Sequence, residues 1–208
     1  VKKSCIAFAL WLAWTCANAQ SLAPQEFYFD EDASTTRPIA VVTGLEGDAL
    51  VNQLAATVQR RPEDIESRAQ LAHVAMQNQR IELGNELYAA ALRNARSNKR
   101  LSRTVAWNYG WDLYRAGQPQ QALEQWQPLL GGWPSAPSWQ PPTLALVLWK
   151  LGRRADAVAW YAAAARTEPA RWGDPANFPA LLPDWREDER ATLAEVFAAW
   201  QAAPPSWP

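Results

Sequence analysis

The 208-residue sequence predicts an all-α fold, a short helical-hairpin solenoid with a C-terminal capping helix. Three observations carry that reading. Apolar residues recur at helical spacing from Leu50 onward. One arrangement of small residues, aromatics and prolines occurs twice in register, 35 residues apart, with a degenerate copy before it. After a proline-rich stretch, a last segment opens with acidic residues and carries an apolar side as far as Trp200.

Ahead of these elements stands VKKSCIAFALWLAWTCANAQ. Lys2 and Lys3, an apolar run and the small-x-small triplet Ala17-Asn18-Ala19 predict a secretory signal peptide over 1–19. The run is shorter than the roughly 20 residues that span a bilayer, so no stable membrane span is expected after cleavage, and the protein is expected in the periplasm. Both cysteines, Cys5 and Cys16, lie in the signal. The remaining chain is therefore expected to be held without a disulfide, a Cys-bound metal or a thiol nucleophile. It would carry 18 basic against 21 acidic residues, a balance that argues against a general polyanion binder. Residues 20–46 lack a helical period and hold turn formers and an acidic knot, FDED, which predicts an extended or disordered lead.

The helical domain is expected over 47–202. Leu50, Leu54 and Val58 define a first helix over about 48–62, stopped by Pro62. The repeated arrangement is anchored on the glycines of RAG (115–117) and KLG (150–152). Seven residues before each glycine stands a small residue, Gly110 or Ala145. Five after it stands another, Ala122 or Ala157. An aromatic follows, Trp126 or Tyr161, then a proline, Pro134 or Pro169. The degenerate copy has Ala72, Gly84 and Tyr88 in these places, but Gln79 at the turn and Arg96 where the proline belongs.

At these positions the chain resembles the tetratricopeptide repeat family, over roughly residues 48–171. The resemblance implies a half repeat at 48–62, a degenerate repeat at 65–98, and repeats at 103–136 and 138–171. Small residues let the two helices of each unit cross closely, and the aromatic fills the gap toward the next unit. Pro128 departs from the pattern and should shorten or kink its helix. Pro175, Pro179 and Pro183 forbid a long helix after the last repeat. Asp184 and Glu187 then form a capping-box pattern for a cap helix over about 185–202, with Leu193, Val196, Phe197 and Trp200 on its apolar side, followed by a tail, 203–208.

Little in the sequence points to catalysis, and no enzyme, metal or cofactor is expected. The one histidine, His73, has no cysteine or nucleophile motif beside it. Glu66 and Glu82 are its nearest acid-base candidates, and Glu66 lies seven residues away along the same helix. The acidic runs at 30–32 and 187–189 read as a solvated lead and a helix N-terminus. The densest basic stretch, with Arg93, Arg96, Lys99, Arg100 and Arg103, reads as a solvated turn, or as a seat for an acidic segment such as the lead.

The aromatics are the remaining signal, since the eleven tryptophans outside the signal all follow residue 106. The resemblance implies a concave surface lined by the first helix of each unit. Its positions here are Ala69, His73 and Met76, then Trp107, Asn108, Trp111, Tyr114 and Arg115, then Trp139, Leu146, Trp149 and Lys150. Trp107, Trp111 and Tyr114 share one helix face. That stripe, edged by Arg115 and Lys150, suits a protein or peptide partner. The family's charged peptide clamp is not matched, because Trp111 and Leu146 stand where polar residues belong. Two kinds of occupant of the surface are open: a partner, or the chain's own lead, cap helix or proline-rich segment 131–142. The expected function is a non-catalytic exported scaffold or adaptor in the envelope of a Gram-negative bacterium, in a TonB-type or other transport or assembly complex. The alternative is a glycan- or peptidoglycan-binding module that uses tryptophan faces as stacking platforms.

Overall fold

The computed structural model describes Pro24 and residues 36–130 and 138–206. The expected signal peptide, the rest of the lead before Thr36, and the segment with Trp133 and Pro134 lie outside the described residues. Ten α-helices occur among the described residues: α1 (Gly47–Arg60), α2 (Ile65–Gln77), α3 (Ile81–Asn94), α4 (Lys99–Arg115), α5 (Pro119–Trp126), α6 (Gln140–Lys150), α7 (Arg154–Thr167), α8 (Pro169–Trp172), α9 (Phe178–Leu181) and α10 (Glu187–Ala202). The protein is all-α, with helices packed as antiparallel neighbours: α2 on α3, α4 on α5, and α6 on α7. None of the described helices is long and apolar enough to cross a membrane.

The three pairs turn in the same way. Gln79, Gly117 and Gly152 sit at φ 59°, 77° and 74°. Their N–H groups donate to Met76, Tyr114 and Trp149, and the following residues donate back to Ala75, Leu113 and Leu148. This left-handed residue ends a helix while satisfying its last carbonyls. Glycine enters that region freely, whereas Gln79 does so against its own Cβ.

The small and aromatic residues of the repeated arrangement form the seams. Ala72, Gly84 and Tyr88, then Gly110, Ala122 and Trp126, then Ala145, Ala157 and Tyr161 are all buried. Gly110 has no room for a side chain, because a Cβ there would lie 2.2 Å from Trp126 Nε1. At Gly84 the crowding atom is the mobile Met76 Sδ, at 2.4 Å. Pro128 shortens the fifth helix as expected: α5 has 8 residues against 14 in α3 and α7, and a 3-10 turn, Gln127–Leu129, follows it. The basic stretch divides between the end of α3 and the start of α4, where Asn98 accepts the Leu101 N–H and Arg103 Nη2 donates to the Leu129 carbonyl.

Beyond α7, a proline stands at the first or second position of each short piece: Pro169 in α8, Pro175 in a 3-10 turn, and Pro179 in α9. The last helix then covers α6 and α7 with Leu193, Val196 and Phe197. Its start differs from the expected Asp184–Glu187 box. The N-cap is Arg186, whose N–H donates to Glu189 at 2.7 Å. Trp185 is buried and the Asp184 carbonyl accepts from Arg115, so this stretch is held outside the helix and the capping carboxylate falls two residues later.

Candidate binding cleft

Counting nine residues back from each turn gives equivalent positions on the first helices of the three pairs: Gln70 on α2, Asn108 on α4 and Thr143 on α6. Two of them hold the lead. Asn108 Oδ1 accepts the Ile39 N–H at 3.2 Å, and its Nδ2 donates to the Arg37 carbonyl at 3.0 Å. Gln70 Oε1 accepts the N–H groups of Val41 and Val42, both at 2.9 Å, and its Nε2 donates to the Val42 carbonyl at 2.8 Å. All five bonds read main chain. The one side chain of Arg37–Val42 that is buried is Ile39, which joins the core. Burying it contributes about 2 kcal/mol and each hydrogen bond about 1. Ordering a residue's backbone costs about 1–2 kcal/mol, so the six-residue segment is held near balance.

The cap closes the other side. Arg115 grips Glu189 with two bonds, Nε at 2.8 Å and Nη2 at 3.1 Å, and Nη2 also donates to the Asp184 carbonyl. Glu189 is 2% exposed and Arg115 23%. The Arg115 guanidinium also lies over the Trp111 ring, 5.0 Å from its centroid. Trp111 is itself buried, edge-on to Trp126 at 5.2 Å and Trp185 at 5.1 Å. Half-buried Tyr114 packs edge-on to Trp111, and its phenol is pushed up by burial first and the charge of Glu189 second.

His73 has a carboxylate partner, and it is neither Glu66 nor Glu82. Its Nδ1 lies 2.8 Å from Asp112 Oδ1, and buried Tyr88 donates to Asp112 Oδ2 at 2.6 Å. One carboxylate on α4 thus joins α2 and α3 to the second pair. Burial, then the Asp112 charge, pushes the Tyr88 phenol well above its ordinary value. On its other side, His73 Nε2 lies 2.8 Å from Gln77 Nε2. Both ring nitrogens are thus engaged within the protein, and the His73–Asp112 pair joins α2 to α4.

A cleft of about 200 Å³ remains between the lead and the cap. Of the residues expected at a partner surface, His73, Trp107, Trp111, Arg115 and Trp139 line it, with Asp112, Thr143, Arg171 and Trp172 beside them. Asn108 faces the lead instead. Leu146 is fully enclosed in the core. Trp149 faces the cap, donating to Glu195 at 2.8 Å beneath the Arg154 guanidinium, and Lys150 is exposed beyond it. Four indole N–H groups among the cleft-lining residues, of Trp107, Trp111, Trp139 and Trp172, have no acceptor within the described protein. Each of these nitrogens is shielded from solvent, so the accessible wall of the cleft is made by ring faces rather than by these donors. Among the described residues no group of His, Cys, Asp and Glu is placed to hold a metal.

The sequence reading missed Gln70, Asp112, Trp185 and Glu189. Gln70 was within reach, being the equivalent of Asn108 in the first pair. The others act through contacts 39 to 74 residues apart in the chain, which helical periodicity does not register. No family model matches the chain, and neither does any curated protein or solved structure.

Proposed function

We propose that the protein is a tetratricopeptide-type helical solenoid of the bacterial envelope, exported and non-catalytic, that binds a non-helical peptide segment of a protein partner on the face of α2, α4 and α6. One observation carries this reading: the face holds a non-helical segment of its own chain, bent at Val41–Val42, through main-chain hydrogen bonds from equivalent positions, Gln70 and Asn108. The third equivalent, Thr143, lines the open cleft next to Thr36, where that segment begins. The half-buried rings of Trp107 and Trp139 supply apolar area for a side-chain anchor.

This reading narrows the anchor residues. Trp111 and Arg115 hold the cap and Thr143 is itself buried, so Trp107 and Trp139 are the residues that meet a partner. Selection of peptides from a random library, followed by affinity measurement on Trp107→Ala and Trp139→Ala, tests it. Each substitution should weaken the selected peptide at least tenfold while helicity is kept. Unchanged affinity in both variants would sink the reading. Titrating tryptophan fluorescence with peptidoglycan fragments separates the glycan alternative: saturable quenching by fragments and none by peptides would favour sugar stacking.

A further inference from the structure

The seat of Arg37–Val42 is built for main chain in general rather than for this segment alone. Two side-chain amides make all five polar contacts, and the only apolar requirement is the pocket of Ile39, one residue after Pro38. Among the described residues nothing covers the segment's outer side, and Val41 is 46% exposed. Its attachment to α1 runs through Gly44 and Gly47, both at positive φ, 75° and 54°, with no neighbouring atom within 4 Å of a Cβ at either. A segment held near balance, on two residues that turn freely, is a displaceable one.

We propose that Arg37–Val42 is a competitor in cis: it occupies a main-chain-reading trough until a partner segment of the same bent shape, carrying a proline–aliphatic pair, replaces it. The proposal rests on the peptide-binding reading above and assigns that site its regulation. The tethered lead acts at a high effective concentration, so a free peptide of the same sequence binds the intact protein weakly. Weakening the lead without touching the trough raises the affinity for that peptide.

The test uses the full chain and a labelled peptide of residues 36–43, TRPIAVVT, followed by fluorescence anisotropy. Ile39→Ser removes the lead's own anchor. Gly44→Ala leaves anchor and trough intact and disfavours the positive φ of the closed form. Hydrogen exchange at the amides of Ile39, Val41 and Val42 reports release of the lead in each. Both variants should bind the peptide at least tenfold more tightly than the parent. Adding Asn108→Ala to Ile39→Ser should cancel the gain, and a peptide with aspartate in place of the isoleucine should not bind. If the parent and both released variants bind equally tightly, competition in cis is refuted while the peptide-binding reading stands. If none binds although exchange shows the lead released, the trough is not a peptide site and competition in cis is refuted, while the cleft at Trp107 and Trp139 is judged by the library selection above.

Discussion

Replacing Arg115 by alanine strands the carboxylate of Glu189. That side chain is 2% exposed and accepts three hydrogen bonds, two from Arg115 and one from the Arg186 N–H. Removing one partner of a buried pair costs about 3–5 kcal/mol, because the other charge stays desolvated. The lower end applies here, since the Arg186 N–H remains and the guanidinium is itself 23% exposed. Loss of its contact with the Trp111 face adds about 0.5–1 kcal/mol. About 3–4 kcal/mol in a domain of this size lowers Tm by roughly 6–15 °C. Urea titrations followed by circular dichroism give the free energy, and near-ultraviolet signals report the packing of Trp185 on Trp111. Glu189→Leu in the Arg115→Ala background should recover part of the loss, because an apolar pair no longer buries a lone charge. If Arg115→Ala melts within about 1 °C of the parent, the cap is not clasped by this pair and the reasoning fails.

Three further outcomes follow from the packing. Gly110→Ala should cost about 1–3 kcal/mol by driving a methyl into the Trp126 ring, while Gly84→Ala should cost less, because Met76 moves aside and the helix gains up to about 1 kcal/mol; paired urea midpoints show the contrast. Gln79→Gly should stabilise by about 0.5–1 kcal/mol, raising the thermal midpoint, because φ 59° then carries no Cβ penalty. Burial raises the phenols of Tyr88, Tyr109, Tyr114 and Tyr161 above the ordinary value of 10.0, so the stability tied to their protonation is complete below that pH and lost above it. Phenolate absorbance should appear together with loss of helicity rather than before it, most sharply for fully buried Tyr88.

What the sequence made legible was the part governed by local rules. The turn, small and aromatic positions located all three helix pairs, because close helix crossing needs missing side-chain bulk at fixed offsets from the turn. The proline-limited α5 followed from the missing N–H and the ring clash of Pro128. The face of α2, α4 and α6 was also legible, through Asn108 and the stripe of Trp107, Trp111 and Tyr114. Its occupancy was not. Trp111 and Arg115 look like exposed anchors when α4 is drawn alone, and Trp185 and Glu189 bury them from 74 residues away. His73 looked unpaired because Asp112 belongs to another helix pair.

The direction of the lead has a mechanical consequence. From Thr36 onward the chain meets Asn108 on α4 first and Gln70 on α2 second, then reaches α1, so it runs against the order of the helices it crosses. A pull on the chain before Thr36, directed away from the helix face, therefore loads these bonds one after another from the Asn108 end, as a zipper is opened, and α1 is reached only after both amides have let go.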